Sequence, residues 1–265
     1  MTLDQLSLEE QKVLSYVKSG AAFFLLHFLA EEDPVVRRII QNKSFGLGIS
    51  VAGGCRRAIR ICDNSITLIE NSVGKTGVVF RFPASSQLNN LLSGRKAKML
   101  PLIKSFSAGR IIDDFKGIMA RLPVYLNPDE ETLSRDFKFI TKLLMNAALR
   151  GIKEVAENDG GVAVRVARIP DGIISIRVET EPDLETLVIK KGRFFNIVAG
   201  PNGNKPNAVL TFKDVNTAYR LFSGKLNAVV ALGTSDVKIR GRIPMIQGLF
   251  PILDRVSYYM SVKQE

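Results

Sequence analysis

Apolar and polar positions run along this chain with two different periods, and each change of period marks a change of element. Over residues 6–17 the apolar positions recur at helical spacing behind Ser7 and Glu10, the pair of a capping box, which predicts a first helix. Residues 20–30 (GAAFFLLHFLA) continue as a nearly all-apolar helix, and Glu31-Glu32-Asp33-Pro34 then gives an acidic start with Pro near the first position for a helix through Ile40. From Phe45 the period becomes two. Phe45-Leu47-Ile49-Val51, residues 58–62, Ile66-Leu68 and Val78-Phe80-Phe82, separated by Gly or Asn turns, predict successive sheet strands. Pro83 opens a helix with Leu88, Leu91 and Leu92 on one face and Gly94 as its stop; a strand near residues 103–106 and an amphipathic helix over 111–122 follow.

Asn127-Pro128-Asp129 is a turn-rich boundary, after which residues 132–157 have helical spacing again. Strands are predicted at 162–166, 173–178, 187–189, 194–198 and 208–212, then a helix over 215–222 closing at Gly224, a strand ending at Gly241, and a last helix over 245–260 that Pro251 should kink or divide. Two stretches say the same thing. GVVFRFPASSQLNNLLSGR (77–95) and NAVLTFKDVNTAYRLFSGK (207–225) share Val79/Val209, Phe82/Phe212, Leu91/Leu221, Ser93/Ser223 and Gly94/Gly224, each pair 130 positions apart. A repeat of that length is a domain, too long for a solenoid period, so the chain reads as two copies of one domain, 1–128 and 129–265. The loop before Gly241-Arg242 is read as longer by two than the one before Gly109-Arg110.

Composition fits an ordinary soluble globular protein: 46% hydrophobic and 24% charged residues leave little room for disorder. Cys55 and Cys62 make neither a disulfide framework nor a metal site, which points to a reducing, cytoplasmic compartment. The apolar run at 20–30 is too short to cross a bilayer and lies too far in for a signal peptide. The net charge of +11 includes the clusters Arg37-Arg38, Arg56-Arg57 with Arg60, and Arg95-Lys96 with Lys98. These make either a solvated basic surface or a face for transient contact with an anionic membrane surface; no nucleic-acid-reading motif accompanies them, so no nucleic-acid partner is expected.

Catalytic chemistry is missing from the sequence. His27, the single histidine, is expected to be a packed residue inside FFLLHFL. Val73-Gly74-Lys75-Thr76 ends like a P-loop, but Ile69 stands where the first glycine belongs, and the segment reads as a hairpin turn. Gly200-Pro201-Asn202-Gly203-Asn204 reads as a long strand connection, and Asp113-Asp114 as a capping pair. The expectation is a protein that is no enzyme, with no catalytic residues, no metal and no cofactor.

The run TFKDVNTAYRLFSGKLNAVVALGTSDVKIRGRIPMIQGLFPIL (211–253) resembles the C-terminal half of the sterol carrier protein 2 family of non-specific lipid-transfer domains. Phe212, Asp214, Leu221, Gly224, Lys225, Lys238, Ile239 and Gly241 occupy the positions of its apolar strand, acidic turn, Gly-Lys helix end and Lys-Ile-x-Gly. The first half departs from that pattern, with Pro83-Ala84 in place of the acidic turn and Ser107-Ala108-Gly109 in place of Lys-Ile-x-Gly. The resemblance implies two tandem α+β domains, each a roughly five-stranded sheet covered by helices, with an apolar tunnel between sheet and helices. It implies a non-catalytic carrier for a hydrophobic ligand, whether fatty acyl, sterol-like or isoprenoid lipid. Relatives also act as accessory factors that present a lipid-tailed precursor to biosynthetic enzymes, so such enzyme partners, or a purely structural module, stay open as alternatives. The tunnel wall is expected from Phe212, Phe222, Met245, Ile246, Leu249, Phe250 and Ile252 in the second half and from Phe82, Leu92, Phe106, Ile118 and Met119 in the first; for any one of them, plain core packing explains the apolar side chain as well.

Overall fold

The two helical stretches read on either side of Gly20 form one helix in the computed structural model, α1 (Leu8–Glu32). The structure describes residues 2–200, 203, 205–226 and 228–262. Ser7 caps α1 as its sequence implies: Glu10 N donates to Ser7 Oγ at 3.2 Å and Ser7 N donates to the Glu10 carboxylate at 3.1 Å. α1 is apolar on nearly every side and is therefore a core helix. By length and composition it is also long and apolar enough to cross a membrane, and 72% of its most apolar window is buried inside the fold. Asp33 ends α1 and caps α2 (Pro34–Ile40), accepting from Val35 N at 2.7 Å and Val36 N at 2.9 Å.

The first unit, which runs to Thr132, continues with β1 (Phe45–Val51), β2 (Arg56–Cys62), β3 (Ser65–Glu70), β4 (Val78–Phe82), α3 (Ser85–Leu92), β5 (Leu100–Ile103), α4 (Ala108–Met119) and α5 (Arg121–Leu126). Its strands lie in the order β3-β2-β1-β4-β5. β1, β2 and β3 are an antiparallel meander, whereas β4 pairs parallel with β1, Leu47 opposite Val78. A parallel pair cannot be joined by a hairpin. Residues 71–77 therefore carry the chain from the sheet edge back to its centre, and the hairpin reading of Val73-Gly74-Lys75-Thr76 is corrected. The fifth strand ends at Ile103 rather than reaching Phe106, because the chain turns at residues 104–107 to enter α4. α1 packs on α3 and β3, while α4 packs on β1, β4 and α2.

A short helix, α6 (Glu130–Arg135), spans the division between the units at 132/133. The second unit, Leu133–Met260, comprises α7 (Phe137–Asn158), α8 (Ala163–Arg168), β6 (Gly172–Val178), β7 (Glu181–Lys191), β8 (Phe194–Ala199), β9 (Ala208–Phe212), α9 (Val215–Phe222), α10 (Ala228–Gly233), β10 (Val237–Gly241) and α11 (Ile243–Met260). Its sheet order is β8-β7-β6-β9-β10, with β6 and β9 parallel and every other pair antiparallel. That is the topology of the first unit, so the α+β class with two five-stranded sheets covered by helices holds.

Three expectations change here. Residues 162–166 are helical, in a 3-10 turn followed by α8: Val162 and Val166 are buried one turn apart while Val164 between them is exposed, so an alternation only five residues long misleads. α11 runs unbroken through Pro251, so the division expected there does not occur. Gly241, opposite Ala208 in the β9–β10 ladder, stands where Ile103 stands opposite Val78, 138 residues earlier; between the matched strands and this position the second unit, with α10 in the connection, has eight more residues than the first rather than two. Of the expected connection at 200–204, Pro201, Asn202 and Asn204 lie outside the described residues.

Candidate functional site

In the second unit the closing helix α11 presents one apolar stripe, Met245, Ile246, Leu249, Ile252, Val256 and Tyr259, every member buried, with spacings that keep them on one face. The stripe packs on β9 and on α7. Two glycines set how close it comes. A Cβ at Gly151 would lie 2.6 Å from Val256 Cγ1, and one at Gly248 would overlap Ile169 Cγ1. Phe212, fully buried at the end of β9, meets Phe222 of α9 edge-to-face with ring centroids 5.5 Å apart. Phe222 and Phe250 are half-buried, whereas Met245, Ile246, Leu249 and Ile252 are buried.

The residues of the lipid-carrier pattern have local structural roles. Asp214 caps α9, accepting from Thr217 N at 2.7 Å. Gly224 at φ 75° ends that helix, with Lys225 N donating to Arg220 O at 2.8 Å. Lys225 Nζ sits 5.1 Å from the centroid of the Tyr219 ring, and Lys238 on β10 pairs with Glu179 at 3.1 Å. Gly241 has φ 82°, and a Cβ there would strike the Asn207 carbonyl oxygen.

Of the five residues expected in the first unit, Phe82 and Ile118 are buried, Leu92 and Met119 are half-buried, and Phe106 is fully exposed in the turn before α4. Phe106 lines no interior in this structure; the strand expected to turn it inward ends three residues earlier. A groove of about 520 Å³ does open in this unit, but none of those five residues lines it: its walls carry Lys43, Arg60, Lys75 and Arg110. Nor is His27 packed. Its side chain is 49% exposed on α1, 3.1 Å from Glu31. Arg57, expected on a basic face, is buried and donates to Ser19 Oγ at 3.1 Å and to Tyr16 O at 3.4 Å. Among the described residues no group of three His, Cys, Asp or Glu side chains could hold a metal.

Each unit also contains a triad around a buried carboxylate that the sequence reading passed over. In the first, the Asp33 carboxylate accepts from Arg121 Nε and the Tyr125 hydroxyl, both at 2.8 Å. In the second, Asp159 accepts from Arg255 Nε at 2.8 Å and the Tyr259 hydroxyl at 2.9 Å. Burial pushes the Asp33 carboxyl up, but Val36 N–H, Arg121 and Tyr125 outweigh it and hold it below the usual carboxylate range. Asp159 is likewise raised by burial and brought below that range by Arg255, Gly161 N–H and Tyr259. Burial, then the neighbouring carboxylate, pushes both tyrosines up. The triads are structural clamps: charge and hydrogen bonds are satisfied within them, and neither lines the groove of about 520 Å³. Their sequence signals were legible as Ala30-Glu31-Glu32-Asp33 against Ala156-Glu157-Asn158-Asp159, and as Arg-x-x-x-Tyr at 121 and again at 255.

No family model and no curated protein matches this chain. Among solved structures, it is similar to a UbiJ-SCP2 ubiquinone synthesis protein at 8% identity over 43% of this chain and 96% of that one, with a TM-score of 0.34. A sterol carrier protein domain 2 of Helicoverpa armigera matches at 20% identity over 46% and 93%, TM-score 0.33. The apo sterol carrier protein 2 of Yarrowia lipolytica matches at 12% identity over 39% and 92%, TM-score 0.29. Each of these domains is thus matched over nearly its whole length by less than half of this chain.

Proposed function

We propose that this chain is a non-catalytic carrier for a hydrophobic ligand, built from two tandem domains, and that the second domain holds the ligand between β9, α9 and α11. The observation that carries this reading is the buried apolar stripe of α11 packed on β9, the strand that ends in buried Phe212 with half-buried Phe222 against it, while Phe250 on α11 is itself half-buried. An apolar layer with half-buried aromatic side chains can part to admit an acyl or isoprenoid chain. Each ligand CH₂ buried there contributes ~0.8 kcal/mol before the costs of binding, so a long chain binds without a polar anchor. Further support comes from the sequence pattern at 211–253, whose Asp, Gly and Lys positions shape the turns on either side of this layer.

The purified full chain, extracted with organic solvent, is expected to release a bound lipid, and a fluorescent fatty acid is expected to bind at micromolar level. Phe250→Asp is expected to weaken that binding by about tenfold, the loss of one aromatic contact and the cost of a desolvated carboxylate. A chain that releases no lipid and binds no probe is a structural module instead.

A further inference from the structure

Between the first turn of α4 and strands β1 and β2 of the first unit lies the groove of about 520 Å³, a size at which small organic ligands are held. Its charge is one-sided. The single carboxylate in its walls, Asp114, is already neutralised by Lys43, whose Nζ donates to both carboxylate oxygens at 2.7 Å. Arg60, Lys75 and Arg110 line the same groove, and among the described residues none of the three has an acidic partner. The positive end of α4 adds to them: Ser105 and Ser107 stand in the wall, and Ser105 oxygens accept from Ser107 N and Ala108 N, both at 3.2 Å, but Ser107 makes no side-chain cap bond to the amides that follow. Beside Lys75, Thr76 is only 6% exposed, and its hydroxyl has no hydrogen-bond partner in the protein, an unmet bond that costs about 1–3 kcal/mol. The cradle is shaped by glycines: a Cβ at Gly46 would lie 3.0 Å from Thr76 Cγ2, and one at Gly77 would lie 3.1 Å from Ile111 Cδ1 and Ser105 Cβ.

We propose that this groove binds a phosphate monoester group, with Lys75, Arg110 and Arg60 supplying the charge and the α4 terminus supplying short-range donors. Three surplus cations around one helix start suit a compact dianion better than a single carboxylate. The apolar wall, Phe45, Ile59, Ile69 and Ile111, leaves room for the organic part of the ligand. The groove is built wholly from the first unit, so this inference stands apart from the carrier reading, whose residues lie in the second.

The test follows the amides of Gly46, Gly77 and Arg110 in ¹H–¹⁵N spectra of the full chain, titrated at constant ionic strength with inorganic phosphate, glycerol phosphate and acetate. A parallel arm sediments the chain with phosphatidylcholine vesicles with and without phosphatidic acid. Saturable shifts with the phosphates and none with acetate are expected. The double variant Lys75→Gln, Arg110→Gln, both exposed side chains, is expected to weaken binding by at least about tenfold, since hydrogen bonds to charged groups contribute about 1.5–3 kcal/mol each. A control double variant in the second unit, Lys213→Gln with Arg220→Gln, is expected to leave it unchanged. Glycerol phosphate binding without vesicle binding identifies a soluble phosphorylated ligand; sedimentation that needs both phosphatidic acid and the groove cations identifies a lipid headgroup. The proposal is overturned by an absence of saturable binding in both arms, by acetate acting as phosphate does, or by equal weakening in the two double variants, which would mark diffuse charge.

Discussion

Asp33 and Asp159 do the same work in the two units: each takes the turn that follows a long core helix and ties it to an Arg and a Tyr on the closing helix. Both carboxylates have folded pKa values below their ordinary value, so each contributes stability that is present above about pH 4 and is lost as pH falls through the folded value. Urea titrations are therefore expected to show falling stability on acidification below about pH 4, with a shallower fall in Asp33→Asn and Asp159→Asn. At neutral pH each of these variants is expected to lose about 2–3 kcal/mol, because Asn accepts fewer charge-assisted bonds and leaves a guanidinium without its counter-charge. Tyr259→Phe removes one bond to the carboxylate and is expected to cost about 1–2 kcal/mol. Unchanged acid stability in both Asn variants would show that the clamps carry no load. These triads escaped the sequence reading because their members lie 88 to 100 positions apart, and only an i,i+4 pair and an Ala-Glu-x-Asp repeat mark them locally.

At the scale of elements, glycines separate what the fold needs from what the pattern alone suggests. Gly241 joins a left-handed backbone to a hard contact with the Asn207 carbonyl, so Gly241→Ala is expected to destabilise the chain by about 2–4 kcal/mol in thermal or urea unfolding. Gly109, its supposed counterpart in the first half, sits in α4 with nothing near the position of its Cβ, and Gly109→Ala is expected to be neutral or stabilising by about 0.5 kcal/mol. Opposite signs for the two substitutions would confirm that the ladders, rather than the Gly-Arg dipeptides, define the correspondence. Most elements were legible because capping boxes, proline starts and alternation act locally: Ser7–Glu10, Asp33–Pro34 and the strands at 45–51 and 208–212 all fall where their residues imply. The crossover at 71–77 and the helix at 163–168 were not, since the first depends on which strand β4 pairs with and the second on which face of a five-residue segment the core covers. Both are tertiary facts.

On the scale of the molecule, equivalent features recur at offsets that drift: 126 for Asp33 and Asp159, 130 for β4–α3 and β9–α9, 134 for Arg121 and Arg255. The buried stripe Ile111, Ile118, Leu122 and Tyr125 repeats at that last spacing as Met245, Ile252, Val256 and Tyr259, so the closing helical segments correspond residue by residue although the offset changes along the chain. The sheet order is the same in both units, yet their side chains have diverged: the first carries a cationic groove and an exposed Phe106, the second a buried apolar stripe on α11 and half-buried Phe222 and Phe250. The resemblance to lipid-transfer domains is carried by the second unit alone, while the groove, assembled from residues 42 to 114, had no linear signal beyond a Gly-Lys-Thr set aside as a turn. The central claim, a hydrophobic cargo under α11, is tested most directly by mass spectrometry of the solvent extract from the natively purified full chain beside Phe250→Asp. The account predicts a discrete lipid in the parent and a depleted extract from the folded variant; equal extracts from both, or none from either, would contradict it.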